Sequence, residues 1–130
     1  MEAILELSFA PVPTAATHAR TEVTERFAPR LATRVLDDVR LLVTELVTNA
    51  LRHGSLRSGD RVGLKAWLTG DVFRIEVRDP GRDGDPVPRS PGPRGGGYGL
   101  FLVEQLAKRW GVDRNGGTVV WCELPSGVDR

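Results

Sequence analysis

Glu45, Asn49 and Arg52 recur at i, i+4 and i+7, which confines them to about 60° of a helical wheel turning roughly 100° per residue. A carboxylate, a carboxamide and a guanidinium on one stripe make a set able to do chemistry. A carboxamide oxygen is a hard, neutral ligand suited to magnesium, which keeps several waters and takes few protein ligands. The carboxylate one turn earlier could act as a general base or hold a water on such a metal. Arg52, one turn later, could meet phosphate. The same three residues also suit a solvated polar stripe, and their spacing leaves both readings open. His53 falls nearer the apolar face, where a satisfied core histidine is the ordinary role.

Asp79 continues the alternation Phe73, Ile75, Val77, so its carboxylate should point to the core side of a sheet. Burying a carboxylate costs several kcal/mol or more unless a strong donor meets it. The exocyclic amine of adenine is such a donor, and Gly81 would let a ring lie close to the backbone. Asp79-Pro80-Gly81 is equally common as turn punctuation. Further on, Gly95, Gly97 and Gly99 alternate up to Leu100, where a helix opens. Such glycines let backbone N–H groups converge on an anion such as a triphosphate. The run lacks the Gly-Lys-Ser/Thr of a P-loop and the parallel βαβ setting of a dinucleotide fingerprint.

Elements must position these residues. Ile4 to Phe9 reads as a short edge strand ending at Pro11 and Pro13. Ala16, Ala19, Val23 and Phe27 predict a helix from Thr14 to about Ala28, with Pro29 at its end. Val39, Leu42, Val43, Leu46, Val47 and Ala50 predict the next helix, the one carrying Glu45 and Asn49, closed by Gly54. Val62 to Leu68 alternates as a half-buried strand, turning at Thr69-Gly70-Asp71 into the strand that ends at Asp79. Asp79 to Gly99 holds Pro86, Pro88, Pro91 and Pro93 among glycines, aspartates and arginines and has no apolar periodicity, which predicts a long, mobile, functional loop. A helix follows with Leu102, Val103, Leu106 and Trp110 on one face, then a terminal strand pair including Thr118 to Leu124. The expected fold is α+β: a two-layer sandwich of a mostly antiparallel, mixed sheet with helices on one face.

Bulk properties narrow the classes. At 130 residues the chain suits a single domain, residues 1–130. A net charge of +1 gives no field that would draw nucleic acid or an acidic membrane. Cys122 is the only cysteine, so neither an internal disulfide nor a thiolate metal cluster can form. No apolar run approaches the roughly 18 residues of a membrane span, and Met1 to Glu6 is acidic where a signal peptide is basic. A cytoplasmic location is expected. Trp67 and Trp121 fall on strands beside charged residues, where they either cover the sheet or anchor a partner.

The order of these pieces resembles the GHKL ATPases. Glu45-Leu46-Val47-Thr48-Asn49-Ala50-Leu51-Arg52-His53-Gly54 is similar to their N box, Asp79-Pro80-Gly81 to the G1 box, and Gly95-x-Gly97-x-Gly99-Leu100 to the G2 box. Within that superfamily the chain from about Ile4 to Pro125 looks like the stand-alone anti-sigma-factor kinases. Arg109-Trp110-Gly111 and Gly117 to Trp121 add to the likeness. The fuller G1 pattern has a second glycine two residues after Gly81, where this chain has Asp83, a departure that bears on lid geometry.

The resemblance implies ATP and Mg2+ as cofactors. Asn49 would ligate the metal, and Glu45 would be the catalytic base. Asp79 would bind the adenine amine, with Gly81 beneath the ring and Thr118 nearby. Gly95, Gly97, Tyr98, Gly99 and Leu100 would lie at the phosphates, with Arg52 and His53 as lesser contacts and a lid at about 82–97. It further implies a homodimer that phosphorylates a serine or threonine of an anti-sigma-factor antagonist while holding a sigma factor. An ATP-binding module that grips a partner without phosphoryl transfer is the alternative. A histidine-kinase catalytic half fits less well: Thr17-His18-Ala19-Arg20-Thr21 lacks the proline of a phospho-acceptor box, and too few residues separate His18 from Glu45. His18 is expected on the surface of the first helix. A topoisomerase-like or chaperone-like ATPase would need a transducer domain to supply a lysine.

Overall fold

The computed structural model describes residues 3–53, 56–80, 100–114 and 116–128. Five strands, β1 (Ala3–Phe9), β2 (Val62–Thr69), β3 (Val72–Asp79), β4 (Arg109–Asp113) and β5 (Thr118–Pro125), form one sheet in the order β1-β2-β3-β5-β4. Every pairing among the described residues is antiparallel. Three α-helices, α1 (Ala15–Phe27), α2 (Thr33–His53) and α3 (Leu100–Leu106), complete the second layer, with a 3-10 turn at Ala28–Arg30 holding Pro29.

The alternations seen in the sequence become the inner face of the sheet. Val62, Leu64, Ala66 and Leu68 of β2, Phe73, Ile75 and Val77 of β3, and Val120, Cys122 and Leu124 of β5 are all buried. From α1 they meet Ala16, Ala19, Val23 and Phe27, and from α2 they meet Val39, Leu42, Val43, Leu46, Val47 and Ala50. Phe27 and Phe73 join the layers edge to face, their ring centres 4.8 Å apart at 70°. Both are fully buried, and truncating such a phenylalanine to alanine costs about 3–5 kcal/mol. As expected, β1 lies at the sheet edge, and His18 is exposed on α1 with its ring edge-on to Phe9.

One expected element changes type. The periodicity of Leu102, Val103, Leu106 and Trp110 suggested a single helix, but α3 stops at Leu106 and Trp110 belongs to β4. Ala107 still donates its N–H to Val103, whereas the N–H of Lys108 already turns to the carbonyl of Glu123. The ladder that follows pairs Trp110 with Cys122 and Val112 with Val120. A two-residue alternation aims Trp110 and Val112 inward as well as a helix would aim Trp110 alone.

Candidate functional site

The helix α2 packs against both β3 and α3. Its apolar stripe demands this placement, and Glu45, Asn49 and Arg52 ride beside that stripe. They grade from half-buried Glu45 through buried Asn49 to exposed Arg52. Asn49 is only 5% exposed, and among the described residues its carboxamide makes no hydrogen bond. Most buried polar side-chain atoms are partnered, so a carboxamide left this way suits a bound group that supplies the missing partner. Its oxygen is the kind of donor Mg2+ takes, and ATP with Mg2+ therefore fits the residues present. His53 ends α2, with its side chain outside the described residues.

At the end of β3 the register sets Asp79 directly opposite Thr118, the first residue of β5. Asp79 is half-buried on the inward side, following Phe73, Ile75 and Val77, as its place in the alternation requires. Thr118 is 3% exposed, and its hydroxyl accepts a hydrogen bond from Arg114 Nη1 at 3.4 Å. A carboxylate and a hydroxyl side by side at a strand end can read one edge of a planar base. Leu100, the first residue of α3, is fully buried in the core. Its side chain therefore anchors the helix, and only its backbone is left to face a ligand. Gly81, Gly95, Gly97, Tyr98, Gly99 and the lid at about 82–97 lie outside the described residues.

Two neighbours of this cluster were missed as site residues. Arg114 carries the bond to Thr118, and Gly117 passes so near Asp79 that a Cβ there would lie 2.6 Å from the Asp79 carbonyl oxygen. The Gly116-Gly117 pair just before Thr118 was the available signal, since paired glycines mark a backbone that must turn or approach closely. Hollows elsewhere do not involve these residues. One lies at the start of α1, lined by Phe9, Val12 and His18 among others, and another beside Asp71, Lys108 and Arg109.

The outer face of the sheet carries a different arrangement. Arg74 lies between Trp67 and Trp121, its guanidinium carbon 5.6 Å and 4.1 Å from the two ring centres. It is paired with Glu76 at 2.9 Å and Glu123 at 3.0 Å. Burial works against its charge, but the bonds and fields of Glu123 and Glu76 outweigh that and raise its pKa. Lys65 stands over Trp67 and Arg109 over Trp121. No described helix covers this face. Trp121 lies over Gly111, where a Cβ would meet its ring at 2.8 Å.

The chain matches the family model described as a histidine kinase-like ATPase domain over residues 9–123. Among solved structures it is similar to the Erythrobacter litoralis EL346 blue-light activated histidine kinase, with 30% identity and a TM-score of 0.55 over 75% of this chain and 32% of that one. It is also similar to a histidine kinase domain from the same Erythrobacter litoralis protein, with 33% identity and a TM-score of 0.53 over 71% of this chain and 48% of that one. The chain thus spans about a third to a half of the lengths of these relatives. No curated protein matches it. No described helix is long and apolar enough to cross a membrane. The order of helix stripe, strand-end aspartate and third helix, together with the match over nearly the whole chain, gives one conclusion: this chain belongs to the histidine kinase-like ATPase domain family, of GHKL type.

Proposed function

We propose that this chain binds ATP with Mg2+ in the cytoplasm and phosphorylates a serine or threonine of an anti-sigma-factor antagonist, holding a sigma factor as its second partner. The buried carboxamide of Asn49, without a hydrogen bond among the described residues, carries the nucleotide half of this reading. When bound, ATP would supply its γ-phosphoryl group with ADP as the leaving group, and the metal would offset the charge of the phosphates. Asn49 would hold the metal, while Asp79 and Thr118 would take the adenine edge, with Gly81 beneath the ring. The backbone at Gly95, Gly97, Gly99 and Leu100 would lie along the phosphates, Tyr98 among them, with Arg52 and His53 as lesser contacts. Glu45, one turn before Asn49, would accept the proton of the incoming hydroxyl. A second copy of the chain would dock on the outer sheet face, where Trp67 and Trp121 are the rigid aromatic anchors that interfaces favour.

Two other readings compete with this one. The solved relatives are named as histidine kinases, which favours a histidine acceptor. Retention of a binding site without transfer would make the chain an ATP-gated binder. Transfer of labelled γ-phosphate to candidate acceptors, with Glu45→Ala and Asn49→Ala beside the parent, separates all three. An acid-stable label on serine or threonine, lost in both variants, is the expected result. An acid-labile label points to histidine. ATP binding with no transfer to any acceptor leaves the binder.

A further inference from the structure

We propose that Gly117 is a positioning residue for base recognition, an inference that rests on the nucleotide reading above: the turn between β4 and β5 presses its backbone against Asp79 and sets where that carboxylate sits. Gly117 has φ of +137°, a conformation closed to most L-residues. A Cβ added there would lie 2.6 Å from the Asp79 carbonyl oxygen and 3.7 Å from that of Pro80. Both atoms are backbone, so no side chain can rotate away. The end of β3 would have to retreat by roughly 0.8 Å to restore an ordinary contact of 3.4 Å, while a useful hydrogen bond spans only about 2.7–3.2 Å. Gly117 also precedes Thr118, which faces Asp79 in register and takes the Arg114 bond. One turn therefore fixes both members of the pair.

The neighbouring glycine provides the comparison. Gly116 also has positive φ, +67°, but a Cβ there meets nothing within 4 Å. Gly116→Ala and Gly117→Ala both place an L-residue at positive φ, and only the second adds contact with Asp79. A purely structural role would lower stability without changing which base is preferred.

The experiment measures binding of ATP and of inosine triphosphate to the parent, Gly116→Ala, Gly117→Ala and Arg114→Ala chains, each checked by thermal melting. Inosine carries a carbonyl oxygen where adenosine carries the amine, so it sets an acceptor against the Asp79 carboxylate. The parent should prefer ATP by about tenfold or more, as a site left with an unmatched charged acceptor does. Gly117→Ala should bring the preference to within about threefold, and Gly116→Ala should keep it. A folded Gly117→Ala chain with the parent's preference overturns the proposal. If that variant does not fold, Arg114→Ala decides: this exposed substitution releases Thr118 and should lower the preference by about threefold, and an unchanged value overturns the proposal. A parent that binds no ATP overturns the nucleotide reading itself. A parent that binds both nucleotides equally removes Asp79 as the reader of the amine.

Discussion

The two ends of the β3–β5 pair are built from the same residue types and sit in different surroundings. At the end near Val72, Ser126 donates its hydroxyl to Asp71, its N–H to the Asp71 carbonyl at 2.8 Å, and takes an N–H from Val128. Its own carbonyl accepts from Ala32 at 2.9 Å, which ties the strand end to the start of α2. At the other end Asp79 and Thr118 face each other in register, and α2, which packs against β3 and β5, carries buried Asn49, whose carboxamide finds no hydrogen bond among the described residues. A polar group closed by its own fold contributes stability, whereas one held for a ligand costs it. The contrast with Asn49 locates function at a buried group that no described residue satisfies.

The largest expected effect acts on the middle of the pair, where Cys122 faces Ile75. Burial pushes the Cys122 thiol from an ordinary 9.0 up to about 12, with Glu123 adding to the rise and Arg74 opposing it. Below pH 9 the thiol is protonated in the folded and unfolded chains, so its contribution is fully present. Between about pH 9 and 12 the unfolded chain ionises first and binds fewer protons, and stability falls by up to about 1.4 kcal/mol per pH unit. Urea midpoints measured from about pH 8 to 10.5 should show this slope, and Cys122→Ala should flatten it by about that amount. Equal slopes in parent and variant would remove the thiol from the account. Because the pair is one unit, both of its ends should be lost at the same midpoint.

Next in size is the closed end. Asp71→Ala removes the carboxylate that holds the Ser126 hydroxyl, and unfolding free energy should fall by about 1–2 kcal/mol. ATP binding should stay within about threefold of the parent, since the change lies at the far end of the strands. Loss of stability together with a much larger loss of nucleotide affinity would show that the two ends are coupled and break the comparison.

Much of this was legible in the chain itself. The α2 stripe and the β2–β3 alternation have strong periods, and period decides which face is buried, so spacing was enough to put Asp79 on the inner face, while the burial of Asn49, beside the stripe, needed the fold. The element carrying Trp110 could not be decided in this way, because at the α3–β4 junction a helical spacing and a strand alternation put the same residue inward. The rest depended on pairings between segments far apart in sequence. That Thr118 sits opposite Asp79 follows from sheet register, which neither strand specifies alone. Gly117 was visible only as the start of the last strand's likeness, and its approach to the Asp79 carbonyl needs the fold. The Trp67–Arg74–Trp121 stack likewise needs three strands side by side.

The smallest effect is the one that tests the contrast most directly, because its sign is unusual. Asn49→Ala removes a buried carboxamide that no described group satisfies and replaces it with the best helix former, worth a few tenths of a kcal/mol at such a position. The lost side-chain volume works the other way and leaves a small cavity. The net expectation is a chain as stable as the parent or more so, by up to about 1 kcal/mol, while Mg2+-dependent ATP binding falls at least about tenfold. Urea unfolding without nucleotide reads the first quantity, and titration with ATP in magnesium and in a chelator reads the second. A substantial loss of stability would mean that Asn49 is closed within the fold much as Ser126 is. The two ends of the strand pair would then differ only in sequence, and the site would have to be sought elsewhere.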